Sequence, residues 1–116
     1  MQTFAIGVAE LELTEEPLDP THIVAGTPVV SHRALHTSAD GRIERGVWQI
    51  TPGTVTDVEA DEMFVVISGS ATIELLTSGR SLTVGPGDVC VFAAGEHTRW
   101  TVHRTLRKVY QLTSDL

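Results

Sequence analysis

Among the ionisable side chains of this 116-residue sequence, Glu62 is the best placed for chemistry. It opens the run Glu62-Met63-Phe64-Val65-Val66-Ile67-Ser68-Gly69. If that run is a strand, Glu62 shares a face with Phe64 and Val66, because side chains alternate with a period of two. A carboxyl group pointed into such apolar surroundings beside Trp100 is poised by desolvation to move a proton on a small bound molecule. The competing reading is structural, a glutamate satisfied by a backbone N–H or by Arg99 or Arg107. Trp48 and Trp100 each offer a large apolar surface and one indole N–H, which suits either a ligand cavity or the packed core of a small barrel. Lys108 and Tyr110 flank Val109 and so share a face, either a barrel mouth or open solvent. His22, His32, His36 and His103 are scattered without ligand spacing and read as surface or hydrogen-bonded histidines. Cys90 lies in an apolar run and reads as a buried, inert thiol.

The elements that must carry these residues are strands. Apolar residues alternate or come in short blocks, and Gly, Pro and Asp-Gly punctuation recurs at short intervals. The first 20 residues, ending in TEEPLDP, read as an extended arm and a proline-broken turn, and HIVAGTPVV (22–30) as one strand or two short pieces. SHRALHTS (31–38) precedes the turn Asp40-Gly41. RIERGVWQI (42–50), TVTDVEA (54–60), EMFVVISG (62–69), SATIELLT (70–77), RSLTV (80–84) and VCVFAAG (89–95) follow as strands. TRWTVH (98–103) and LRKVYQLT (106–113) read as a closing hairpin. Eight to ten short strands point to a jelly-roll or closed barrel. One domain is expected over 1–116, with an N-terminal arm at 1–26 and the barrel at 27–113.

Fifteen acidic against eight basic residues give a formal charge of −7. The bases form no stripe, so nucleic acid and anionic membrane surfaces are poor partners. The apolar patch from Phe4 to Ala9 is broken by Glu10, too short for a signal peptide, and no window reaches the length of a membrane span. With a single cysteine, a reducing, cytoplasmic setting is expected. Exposed strand edges in the first half suggest a homodimer formed by arm or sheet exchange.

Glu62, six residues and Gly69, then Gly87, five residues and Ala93-Ala94-Gly95, resemble parts of the two motifs of the cupin superfamily. The whole is an all-β double-stranded β-helix, or jelly-roll barrel. More narrowly, the stretch from Gly46 to Tyr110 resembles the DUF861-like subfamily related to ureidoglycine aminohydrolase and an ethanolamine-utilisation protein. The residues are Gly46-Val47-Trp48, Thr51-Pro52-Gly53, Asp61-Glu62, Gly69, Pro86-Gly87-Asp88, Ala94-Gly95, Trp100 and Arg107-Lys108-Val109-Tyr110. The resemblance places Thr56 and Val58 where cupins carry two metal-binding histidines, and Thr98 at the third. No dedicated metal or other cofactor is therefore expected, since Glu62 alone cannot supply three or four converging donors. Asp57, Glu62 and a shifted His97 are the set that could restore one.

The resemblance implies hydrolytic, lyase or isomerase chemistry on a small polar metabolite, with Glu62 as the acid–base residue. Trp48, Thr56, Val58, Phe64, Thr98, Trp100, Lys108 and Tyr110 are the candidate ligand-binding residues around it. The alternatives are a barrel that binds a small ligand without turning it over, and a solid barrel that serves as a partner-binding module.

Overall fold

Alternation becomes architecture through nine strands. The computed structural model describes residues 1–115. Its strands are β1 (Thr14–Glu16), β2 (Ile23–Ala25), β3 (Val30–Thr37), β4 (Ile43–Ile50), β5 (Gly53–Val58), β6 (Asp61–Leu75), β7 (Arg80–Val84), β8 (Val89–Phe92) and β9 (His97–Thr113). A single turn of 3-10 helix, Pro20–His22, is capped by Asp19, whose carboxylate accepts from the Thr21 backbone N–H at 2.9 Å. Every strand pairing is antiparallel.

Two long strands organise the curled sheet. The first half of β9 (His97–Val102) lies between β5 and the second half of β6, which in turn pairs with β7. The second half of β9 (Leu106–Thr113) lies between β4 and the first half of β6, which pairs with β8. One wall is thus β1-β3-β4-β9-β6-β8 and the other β2-β5-β9-β6-β7, with β6 and β9 passing through both. The segments 62–69 and 70–77, expected as separate strands, form one strand, and so do the two halves of the expected closing hairpin. The physical reason is a bend in place of a turn. The β6–β9 register slips between Val66 and Ala71, around Gly69. Gly69 has φ +85°, and a Cβ there would run into the Thr105 carbonyl oxygen. Glycine alone permits both that torsion and the close crossing of the two bent strands.

Between the walls lies one apolar core of Val30, Ile50, Val55, Phe64, Val66, Ile73, Phe92, Trp100, Val102 and Leu106, among others. The arm at 1–26 does not run free. Its pieces β1 and β2 add to the edges of β3 and β5, and Arg107 Nη1 donates to the carbonyls of Val8 and Leu11 at 2.8 and 2.9 Å. HIVAGTPVV resolves into two pieces, β2 and the start of β3. No described helix is long and apolar enough to cross a membrane.

Candidate active site

Residues directly opposite on antiparallel neighbours project from the same face. The pairings His32–Trp48, Trp48–Lys108 and Lys108–Val66 therefore draw one row of side chains across β3, β4, β9 and β6. Two residues along, Gly46, Tyr110, Phe64 and Cys90 form a second row, and beyond it Glu44, Leu112, Glu62 and Phe92 form a third. These rows, closed over by β1, β5 and the residues after β5, surround an open-mouthed cavity of about 440 Å³.

At its inner end Lys108 Nζ lies 2.7 Å from Glu62 Oε2, with both side chains buried to 7% and 6% exposure. The ammonium also sits over Phe64 and Trp48, 4.4 and 4.5 Å from the ring centroids, and 5.3 Å from that of Trp100. A desolvated cation is held by such a cage through the negative faces of the rings and the one facing carboxylate. The two indoles meet edge to face at 5.8 Å.

A second buried carboxylate stands beside the pair. Glu59 Oε2 accepts from Thr98 Oγ1 at 2.7 Å and from Trp100 Nε1 at 3.0 Å. Its backbone is clamped as well, its N–H donating to the Glu96 carbonyl and its own carbonyl accepting from Gly95 N–H, both at 2.8 Å. Burial pushes the Glu59 carboxyl above its ordinary range, against the opposing pull of its two donors. At the other end Tyr110 donates its hydroxyl to Glu44 Oε2 at 2.7 Å, and burial together with that acceptor raises the phenol. Gly46 makes the approach possible, because a Cβ there would meet the Tyr110 hydroxyl at 2.5 Å. His32 Nδ1 lies 3.3 Å from Glu16 Oε2, both residues being on the cavity wall.

Of the residues singled out from the sequence, Glu62, Trp48, Thr56, Val58, Trp100, Lys108 and Tyr110 line this cavity. Phe64 is sealed beneath Lys108, and Thr98 is fully buried behind Glu59, reaching only a shallower recess that it shares with His97 and Leu76. The partner of Glu62 is Lys108 rather than Arg99 or Arg107, and Lys108 and Tyr110 face the interior rather than solvent. Glu59, Glu16 and His32 are the wall residues that sequence reasoning passed over. Thr98 and Trp100, two donors on one face of a strand, were the signal for a buried acceptor, but only the β5–β9 register says which acceptor. Cys90 is buried, its thiol pushed up to about 11 by desolvation, and it presents no nucleophile.

The metal of the cupin fold finds no fitting donor set. Thr56, Val58 and Thr98 offer no imidazole, and an ammonium already occupies the inner face of Glu62. His97 is exposed on the far side of β9, so Asp57, Glu62 and His97 do not converge. Among the described residues no group of three His, Cys, Asp or Glu side chains could hold an ion.

A family model described as the EutQ-like cupin domain matches residues 37–110. Among solved structures, a DUF861-family protein of unknown function from Pseudomonas syringae pv. tomato superposes with a TM-score of 0.80 at 29% identity. The match covers 90% of this chain and 45% of that one. The EutQ protein of Clostridium difficile gives a TM-score of 0.64 at 22% identity, over 75% of this chain and 69% of that one. The polyketide cyclase RemF of Streptomyces resistomycificus gives 0.68 at 19% identity, over 98% and 81%. At these last two identities the likeness speaks for the fold alone. No curated protein matches the chain.

Proposed function

From the premise that the chain belongs to the EutQ-like cupin family, we propose that its cup is an acid–base site for a small polar metabolite, with Glu62 as the proton-transfer residue. The observation that carries the reading is the buried Glu62–Lys108 pair at the inner end of an open cavity. Both hydrogen bonds of Glu59 and the one of Glu62 fall on Oε2, so Oε1 of Glu62 has no donor among the described residues and can meet a substrate. When Glu62 takes a proton from an acidic C–H or N–H, the negative charge passes to the substrate, and Lys108 exchanges one counter-ion for another. The net charge of the site does not change, which suits a cavity of low dielectric. Return of the proton to a second atom completes an isomerisation, or loss of a leaving group completes an elimination, without a further reactant.

The test is turnover of a metabolite mixture followed by proton NMR, comparing the native protein with Glu62→Gln. A general base contributes about 10²–10⁴-fold in rate. Loss on that scale in a folded variant is expected, and unchanged turnover would remove Glu62 from the mechanism. A second reading, a binding cupin without turnover, is favoured by the completeness of the Lys108 cage, which leaves Glu62 an already satisfied partner. It expects thermal stabilisation by a ligand, about 2.7 kcal/mol at a hundredfold excess over Kd, with no product formed.

The same proposal reads residues 1–116 as one domain acting in the cytoplasm, in keeping with a lone buried thiol. It pairs two copies through the exposed apolar residues of the arm and β8, Phe4, Ile6, Val89 and Val91. Light scattering after size exclusion should give a mass near twice 12.5 kDa.

A further inference from the structure

We propose that the cavity takes a small organic amine in its protonated form, gripped by Glu59 and, at the mouth, by Glu16. This rests on the reading of the cavity as a small-molecule site and adds the sign of the guest's charge. Five carboxylates stand on the wall, those of Glu16, Glu44, Asp57, Glu59 and Glu62, against one lysine and two histidines, His22 and the His32 that lies beside Glu16. That lysine is engaged by Glu62. An anion entering the cup therefore meets an excess of carboxylates, whereas an ammonium is drawn in.

The buried groups point the same way. Glu59 and Glu62 are only 7% and 6% exposed, yet Oε1 of each has no protein donor among the described residues. Neither oxygen is sealed away from the cavity. A carboxylate oxygen left open to the cavity can accept from a guest, and an N–H-bearing cation makes the stronger, charge-assisted bond.

The segment that supplies the mouth precedes the matched family region. Glu16, Leu18, His22, Val30 and His32 line the cavity but precede residues 37–110, the part matched by the family. The shared barrel thus brings the floor, and the first 36 residues bring the charge at the opening.

Three probes of equal carbon count separate the possibilities: diaminopropane, propanediol and malonate, titrated at constant ionic strength. Trp48 and Trp100 are the only tryptophans and both line the cavity, so their indole N–H resonances report on it. Diaminopropane should shift them saturably. Its affinity should fall about tenfold in Glu59→Gln, which retains an acceptor for Thr98 and Trp100 but loses the charge. It should fall about threefold in Glu16→Gln, a change on an exposed edge strand. Malonate or propanediol binding as tightly as the diamine overturns the amine assignment and leaves the small-molecule reading standing. Unaltered diamine affinity in both variants overturns it too, as does the absence of a shift with all three probes, while the Glu62 turnover comparison is decided separately.

Discussion

Glu62 and Lys108 hold each other at 2.7 Å in surroundings that neither tolerates alone. A buried pair adds little net stability, since desolvation offsets most of the attraction, but breaking it strands a charge. Lys108→Met or Glu62→Leu alone should each cost about 3–5 kcal/mol in urea unfolding, and the double change should recover most of that loss. Additive losses would mean that the two groups do not depend on each other. Glu59 makes a separate prediction. Its carboxyl is raised by burial, so between the ordinary 4.5 and the raised folded value the folded protein holds a proton that the unfolded chain has released, and above that window Glu59 is a carboxylate. Stability contributed by the protonated form is complete below the ordinary value of 4.5 and declines as pH rises through the raised folded value. Glu59→Gln should flatten that decline, and a stability profile of unchanged slope would count against it. At this scale the sequence made Glu62 and the indoles visible through period-two alternation. Glu59 was passed over and Lys108 stayed ambiguous because their roles depend on partners 39 and 46 residues away.

Strand limits were legible where a turn reverses the chain, as at Asp40-Gly41, and where it steps aside between two strands that continue along β6, as at Pro86-Gly87-Asp88. In the latter Asp88 Oδ2 accepts from Gly85 N–H at 2.8 Å. They were misleading at Gly69 and near Arg104-Thr105, where residues that usually end strands instead let two strands bend across each other. Gly69 is the point where that bend is least forgiving. Gly69→Ala combines an unfavourable positive φ with a Cβ driven into the Thr105 carbonyl, and should destabilise by about 3 kcal/mol. Gly79→Ala, also at positive φ but with open space around it, should cost about 1 kcal/mol. Equal losses in thermal melts would show that torsion, not crowding, governs position 69.

The molecule as a whole divides into a barrel that its family shares and an N-terminal segment that completes the cup. Strand alternation and turn punctuation foretold the all-β barrel and composition the acidic character, but not that the acid would gather round the cavity. That gathering requires β1 to reach β3 and carry Glu16 to His32, a pairing no local pattern announces.

Because β6 and β9 belong to both walls, the halves of the cup cannot swing apart like the shells of a clam. Guest traffic must be governed by whatever can peel away, and the shortest ladders are those of β1 and β2, three residues each. Native-state amide exchange should be slowest along Ala71–Leu75 and Trp100–Val102, which are bonded on both flanks, and fastest in Thr14–Glu16 and Ile23–Ala25. Release of a captured molecule would then keep pace with the fraying of an edge, leaving the barrel itself as rigid as an empty one.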